Sequence, residues 1–201
     1  PSSAYFKTSV NHNLLNNSNH GPDILLMPYL NAEKYHYSVK ASCTILAGKE
    51  FALIDPRLSR INKMNLNKLS KYNNIFVSFG RSFEGQETAI LVSQLLSTLC
   101  HHQLSILTTV DRSRESTLRL ARFPNVELLG FNNEIDQLLE QIDIAIVGSG
   151  GIRYETCCAG IPTLAFSQIP SHTHSLLEFN SEKLASFGGE IFTLDPKAIT
   201  H

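Results

Sequence analysis

Four residues in and after a glycine-rich turn have the types and spacing needed to bind a nucleotide sugar. Ser149, Gly150 and Gly151 follow an apolar run at 144–147 and precede a segment with a helical pattern. Such a turn leaves room for a phosphate beside backbone N–H groups at a helix N-terminus. Glu155 can accept hydrogen bonds from sugar hydroxyls. The alternative is that Glu155 interacts with the helix dipole on an exposed face.

A second glycine-containing turn spans residues 80–85 and follows an earlier apolar run. Its glycines permit positive φ, and Ser82 or the neighbouring N–H groups can face a diphosphate. Arg81 can neutralise a phosphate, or it can be a solvated surface charge. Gly80, Arg81 and Ser82 are therefore candidate phosphate ligands.

Two further loops contain residues of interest. Phe131 can form the wall of a base pocket or can pack in the ordinary way, and Asn133 is interpreted as a helix N-cap. His172 and His174 form a pair that can bind a metal, but the sequence offers no evident third ligand. We interpret these histidines as surface-loop residues, and we expect no metal and no cofactor.

The elements that must position these loops alternate regularly from residue 74 onward. We predict strands at 75–79, 104–109, 126–129, 144–147, 163–166 and 190–193. We predict helices at 87–100, 114–121, 133–141, 153–159 and 175–186. This alternation indicates an α/β fold, a Rossmann-like doubly wound parallel sheet over residues 74–195. Ligands of such sheets bind beyond the carboxyl ends of the strands, where the loops described above would lie.

Residues 1–73 are predicted to be the remnant of a neighbouring N-terminal domain plus a linker. Within them, 1–22 has the pattern of a loop, and 23–28 and 43–47 have the pattern of short strands. Residues 57–72 suit a short helix or a linker.

Composition narrows the class of protein. Of 201 residues, 42% are hydrophobic, so a core can form, and a net charge of −1 gives no reason to expect a nucleic-acid partner. No apolar run approaches the roughly 18–20 residues that span a bilayer, so no membrane insertion is expected. The four cysteines lack metal-site spacing and the density of a disulfide scaffold, and Cys157 and Cys158 are interpreted as buried thiols, which favours a cytoplasmic location.

The run Gly-Ser-Gly-Gly-Ile-Arg-Tyr-Glu-Thr-Cys-Cys-Ala-Gly-Ile-Pro at 148–162 resembles a segment of the UDP-sugar hydrolases of pseudaminic-acid biosynthesis. That segment contains a glycine-rich turn followed by Trp-Glu-Arg-Cys-Cys and Leu-Gly-Leu-Pro. The family has the GT-B fold and is related to the N-acetylglucosaminyltransferase of peptidoglycan synthesis. Other stretches, in the same order, are similar to family segments, so that the resemblance covers about 23–195: these are 23–30, 46–57, 75–82 and 178–180.

The resemblance implies that this chain contains the C-terminal, nucleotide-binding half of a GT-B protein. A UDP-sugar would bind between this half and an N-terminal domain, and water would release the sugar from UDP in surface-polysaccharide or nonulosonic-acid biosynthesis. It implies phosphate contacts at the 149–151 turn, a ribose contact at Glu155 and a base contact at Phe131. It also implies that Glu178 and Asn180, matching a Glu-Asn-Gln motif at a helix start, lie near the phosphates or the sugar.

Four departures from the family pattern limit these expectations. Ile152 and Arg153 stand where the family favours small hydroxyl residues. Arg81 replaces a family glycine, and Asp55 stands where the linker motif has an arginine. The family's Gly-x-Gly-His loop, whose histidine has the catalytic role, has no counterpart here, so the catalytic residues are unknown and this chain alone is expected to be inactive. Two alternatives stay open: the donor-binding domain of a GT-B glycosyltransferase, and a non-catalytic Rossmann-like module.

Overall fold

The computed structural model describes residues 8–10, 22–65, 73–99, 105–111, 113, 116–130 and 134–191. Phe131 and Asn133 lie outside these described residues. The chain divides into two compact units, Pro1–Leu53 and Ile54–His201.

The first unit contains a parallel three-stranded sheet in the order β1-β2-β3, made of Thr8–Val10, Ile24–Met27 and Thr44–Ala47. Strands β2 and β3 confirm the two strand predictions, whereas β1 lies in a stretch that the pattern assigned to a loop. That prediction was wrong because β1 is held by main-chain pairing with β2, with Thr8 opposite Ile24, which a polar sequence does not reveal. The core of this unit includes Leu25, Met27 and Tyr37.

Tyr37 fixes a turn in this unit. Its hydroxyl donates a hydrogen bond of 2.7 Å to the carbonyl oxygen of Ala32, which follows β2 in the 3₁₀ turn Ala32–Lys34. Burial raises the pKa of Tyr37 to about 12 because the phenolate would lose hydration there. A second 3₁₀ turn, Lys49–Phe51, follows β3.

The second unit is built on a six-stranded sheet in which every pairing is parallel. The order is β6-β5-β4-β7-β8-β9. The strands are β4 Asn74–Ser78, β5 Ser105–Thr109, β6 Val126–Leu129, β7 Ile144–Val147, β8 Thr163–Ser167 and β9 Ser186–Glu190. The chain thus runs outward from β4 to one edge, returns to β7 beside β4 and continues to the other edge. This is the order of a doubly wound Rossmann-like sheet, and the fold prediction is confirmed.

Six helices lie in the described part of this unit. They are α1 Leu58–Asn65, α2 Phe83–Leu99, α3 Thr117–Leu120, α4 Ile135–Leu139, α5 Ile152–Cys158 and α6 Pro170–Ser181. Helix α1 confirms the helical alternative over 58–65, and residues 66–72 lie outside the described part of the chain. The core forms where apolar residues of adjacent strands meet the helices, and it includes Ile75, Val77, Ile106 and Ile146. Within the described residues, no helix combines the length and apolar character needed to cross a bilayer.

The last helix and strand differ from the sequence prediction. Helix α6 begins at Pro170 rather than at residue 175, since proline is suited to the first helical position and lacks the N–H that would be unsatisfied there. The last strand is Ser186–Glu190 rather than 190–193. Its glycines obscure the strand pattern, and Gly188 is required because a Cβ there would lie 2.5 Å from the Phe166 ring.

Candidate functional site

The two predicted glycine loops meet where the sheet order reverses. Strands β4 and β7 are hydrogen-bonded neighbours, and the chain leaves them toward opposite edges of the sheet, which opens a crevice at their carboxyl ends. The N–H of Gly148 donates to Ser78 O at 3.0 Å. A Cβ atom on Gly148 would lie 3.4 Å from the Cα of Phe79 and would overlap the Gln168 amide. The contact with Phe79 would be of ordinary van der Waals length, so a residue larger than glycine at 148 would displace the Gln168 side chain.

The loop after β4 is organised by helix capping. Gly80 has a φ of 89°, which glycine adopts without strain. Ser82 Oγ accepts a 3.0 Å hydrogen bond from the N–H of Gly85 and so caps α2. The Ser82 hydroxyl keeps its proton for donation, so its role as a phosphate ligand stays a prediction. The exposed Arg81 lies on the same loop, and its carbonyl oxygen accepts a 2.8 Å bond from Gln86 Nε2.

The turn after β7 is open in front of Gly150 and Gly151. Neither glycine has positive φ, and a Cβ at either position would meet no atom within 4 Å. Their carbonyl oxygens accept bonds from the N–H groups of Arg153 and Tyr154, at 3.4 and 2.9 Å respectively. Their own N–H groups have no acceptor in the described part of the chain. Neither backbone conformation nor internal packing requires glycine here, and a side chain would instead occupy the space outside the turn.

Glu155 is half-buried on α5, one turn beyond these glycines. Among the described residues its carboxylate has neither a hydrogen-bond donor nor an ion-pair partner. Burial raises the pKa of Glu155, and the negative charge of Asp55 raises it further. This environment does not fit the alternative of a carboxylate on an exposed face. It fits an acceptor that is available to a ligand hydroxyl.

Ser149 and His172 join the turn to the following strand-end loop. The Ser149 hydroxyl is hydrogen-bonded to His172 Nδ1, and His172 lies in the first turn of α6. Burial lowers the pKa of His172, and the charge of Arg153 lowers it further. The interpretation of His172 as a surface-loop residue is therefore wrong, because α6 begins earlier than predicted. His174 is exposed, as predicted, and its Nε2 lies 3.8 Å from Glu178 Oε1.

Arg153 is a buried cation beside this pair, and the sequence patterns did not identify it. The residue is only 4% exposed, and its guanidinium carbon lies 4.5 Å from the Phe179 ring centroid. Nη1 donates a 3.1 Å bond to Ser175 Oγ, which donates a 3.0 Å bond to the His172 carbonyl oxygen. One feature of the sequence could have indicated its burial. Arg153 lies three positions before Thr156, so both residues fall on the same face of α5, and that face is buried.

The structure corrects the placement of Glu178 and Asn180. Both lie near the end of α6, not at its start as the resemblance implies. Asn180 Oδ1 accepts a 3.1 Å bond from the N–H of Phe187, near the beginning of β9. A helix that connects two parallel strands runs back to the end of the sheet where the next strand begins. This contact therefore places Asn180 toward the amino ends of the strands, whereas Ser149 lies at their carboxyl ends. The start of α6, which does adjoin the turn, contains His172 instead.

No group of three or more potential metal ligands occurs within the described residues. Cys157 donates a 3.1 Å hydrogen bond to the carbonyl oxygen of Leu184, and burial raises its pKa to about 11. Burial also raises the pKa of Cys158. These two thiols are therefore poor nucleophiles and pack as structural residues.

Comparison with known proteins places the fold among glycosyltransferases. No family model matches the chain. The spore coat polysaccharide biosynthesis protein SpsG of Bacillus subtilis (strain 168) is 22% identical over 151 residues, which cover 73% of this chain and 44% of SpsG. Acinetobacter baumannii MurG superposes with a TM-score of 0.52 at 14% identity, covering 89% of this chain and 50% of MurG. WaaG, a glycosyltransferase of lipopolysaccharide biosynthesis, gives 0.52 at 18% identity, covering 87% and 51%.

The chain thus spans about half the length of these proteins. At these identities the structural matches establish the fold alone, which this chain shares with MurG and with the glycosyltransferase WaaG. They support the broader part of the resemblance and leave hydrolase activity a hypothesis.

Proposed function

We propose that the unit Ile54–His201 binds the nucleotide part of a nucleotide sugar, and that the protein is a GT-B glycosyltransferase of polysaccharide biosynthesis. The observation that carries this proposal is the half-buried Glu155 carboxylate, without a protein partner among the described residues, beside an open glycine turn at the point where the sheet order reverses.

The turn supplies the phosphate end of this site. Gly150 and Gly151 leave open space in front of their main chain, and their N–H groups have no acceptor among the described residues. A phosphate oxygen can accept from such groups. Ser149 adds a hydroxyl at the same turn, and Ser82 adds another on the adjoining loop.

Glu155 supplies the sugar end. An ionised carboxylate that is partly removed from water is stabilised when a donor replaces the lost hydration. Its two oxygens can accept from the two adjacent hydroxyls of a ribose. Binding a nucleotide would thus relieve the unfavourable environment of Glu155.

We place glycosyl transfer ahead of hydrolysis because WaaG, which shares the fold, is a glycosyltransferase and SpsG is a polysaccharide biosynthesis protein. The UDP-sugar hydrolases have the same fold, so hydrolysis stays the alternative. In either reaction the bond between the anomeric carbon and the diphosphate breaks, and the diphosphate leaves with the electron pair. The N–H groups and hydroxyls of the turn would stabilise its growing charge, a contribution of several kcal/mol in comparable sites. An acceptor hydroxyl, or water in the hydrolase alternative, would attack with the help of a second domain. Uridine as the nucleoside is part of the proposal because the resemblance favours it.

Calorimetric titration of this chain with UDP, with uridine, ADP and GDP for comparison, tests the binding proposal. We expect saturable UDP binding that is much weaker for uridine, because uridine lacks the phosphates. Failure to saturate with any of the diphosphates at millimolar concentration would refute the proposed site.

Release of UDP from a UDP-sugar, measured in the full-length protein with and without polysaccharide acceptors, then separates transfer from hydrolysis. Release that is independent of acceptor would identify a hydrolase.

A further inference from the structure

We infer that Ser149 and His172 together bind a phosphate of the ligand, and that His172 takes up a proton when it does so. This inference rests on the proposed function and deepens it. It adds a titrating residue to the phosphate end of the site, one that the sequence pattern had indicated only as a surface-loop histidine.

Geometry places the imidazole at the turn. Ser149 lies next to Gly150, and its hydroxyl is hydrogen-bonded to His172 Nδ1. Ser175 holds the His172 main chain through its 3.0 Å bond to the carbonyl oxygen, and the buried Arg153 holds Ser175. Hydrogen bonds therefore hold both the main chain of His172 and its ring nitrogen Nδ1, and Nδ1 lies at the turn that contains Gly150.

The charged groups around His172 favour a neutral ring before the ligand binds. Arg153, on α5, is the cation that faces it, and burial acts in the same direction. On α6 itself the titratable neighbours are His174 and Glu178, which lie within 3.8 Å of each other. On β9, Glu190 accepts a 2.7 Å bond from Thr173 Oγ1. In the described part of the chain no carboxylate lies within ion-pair distance of His172.

Proton uptake would change what the pair can donate. In the neutral ring, Nδ1 can accept the hydroxyl proton of Ser149, which then points away from the ligand. Once the ring takes a proton from solvent, Nδ1 becomes a donor to Ser149 Oγ, and the hydroxyl proton is free to point at a phosphate oxygen. The imidazolium charge then balances part of the phosphate charge, which the neutral ring does not do.

The sign of the pH dependence follows from this change. If the pKa of His172 is higher in the complex than in the free protein, binding takes up a proton. Affinity is then greatest at acidic pH and falls as pH rises from the free pKa, which lies below the ordinary 6.5, to the higher pKa of the complex. Each unit by which the pKa rises corresponds to about a tenfold change in affinity across that window.

Two measurements on the whole chain test the inference, with UDP as the probe. The first follows the imidazole carbon-bound proton of His172 by NMR across pH, in the free protein and in the protein saturated with UDP. We expect the pKa of His172 to rise by about one unit or more. The second measures UDP affinity from mildly acidic to mildly basic pH for wild type, His172→Gln and the matched control His174→Gln.

The difference between variants isolates the histidine from the titration of UDP itself. His172→Gln can still hydrogen-bond to Ser149, so the fold should be retained, which the melting temperature checks. We expect the UDP affinity of His172→Gln to fall less steeply with pH than that of wild type. The UDP affinity of His174→Gln should follow wild type. UDP binding with an unchanged His172 pKa and parallel pH profiles would overturn this inference and leave the proposed function standing. No UDP binding at any pH would overturn both.

Discussion

The main chains at Phe79 and Gly148 lie so close that a Cβ atom on Gly148 would be 3.4 Å from the Phe79 Cα. These residues follow the two central strands of the sheet, β4 and β7. The Gly148 N–H also donates a 3.0 Å hydrogen bond to Ser78 O, so two loops that are far apart in sequence begin next to each other. Phe79 is also approached from the other side, because a Cβ on Gly85 would overlap its carbonyl oxygen.

Gly85→Ala is expected to lower the free energy of unfolding by about 1–3 kcal/mol, since the added methyl group forces helix α2 away from β4. The favourable helix propensity of alanine offsets only part of this cost. Chemical denaturation provides the measurement. Gly151→Ala is the matched control, because its Cβ meets no atom within 4 Å, and its stability should stay within about 0.5 kcal/mol of wild type. Equal effects of the two substitutions on the free energy of unfolding would contradict the close contact between Gly85 and the Phe79 main chain.

Glu155→Ala should weaken UDP binding by about 1–3 kcal/mol, because the complex would lose hydrogen bonds in a partly dehydrated site. Calorimetry on folded variants measures this change. Glu182→Ala, which alters an exposed carboxylate just beyond α6, is the control and should bind UDP like wild type. Unaltered affinity in Glu155→Ala would rule out the ribose contact.

Glu155→Gln is expected to raise the melting temperature at neutral pH while it weakens UDP binding. The pKa of Glu155 is raised in the folded protein, so the ionised carboxylate destabilises the fold at pH values above its folded pKa. Below the ordinary value of 4.5 the carboxyl is protonated in both states and the cost vanishes. The stability advantage of the variant should therefore shrink as pH falls to about 4. Thermal unfolding followed by circular dichroism at several pH values measures it, and an advantage that grows toward acidic pH would refute the sign.

Asn180→Ala should reduce stability by about 0.5–1.5 kcal/mol and leave UDP affinity unchanged. The reason is that its amide oxygen accepts the Phe187 N–H at 3.1 Å, near the start of β9. Denaturation and calorimetry on the same preparation measure the two effects, with Glu182→Ala again as the control. A loss of UDP affinity at full stability would restore the binding role that the family resemblance implies.

The central part of the sheet could be predicted from the sequence because its strands are buried on both faces. Apolar runs such as 144–147 and 126–129 match the observed strands Ile144–Val147 and Val126–Leu129. The outer strand Ser186–Glu190 could not be predicted, because two of its five residues are glycines: the Phe166 ring occupies the space beside Gly188, and Gly189 has a φ of 107°. Strand β1 likewise depends on its partner rather than on its own residues.

The candidate site likewise contains residues that could be predicted from the sequence and residues that could not. The turn at 149–151 and Glu155 could be identified because a glycine-rich turn with a carboxylate one helical turn later is a local pattern, contained in seven consecutive positions of the sequence. His172 could not, since its role depends on where α6 begins and on contact with a residue in a different loop. Glu178 and Asn180 were misplaced because a short motif was matched without the helix boundary that gives it meaning.

The contacts of the buried Arg153 have a consequence for the rate at which a ligand associates with the site. Its guanidinium lies over the Phe179 ring and bonds Ser175, and Ser175 in turn fixes the main chain at His172. Helices α5 and α6 are thereby locked to each other before any ligand arrives. Capture by this side of the site needs little loss of conformational entropy. Association there should be governed by the rate of encounter rather than by a slow rearrangement of the protein.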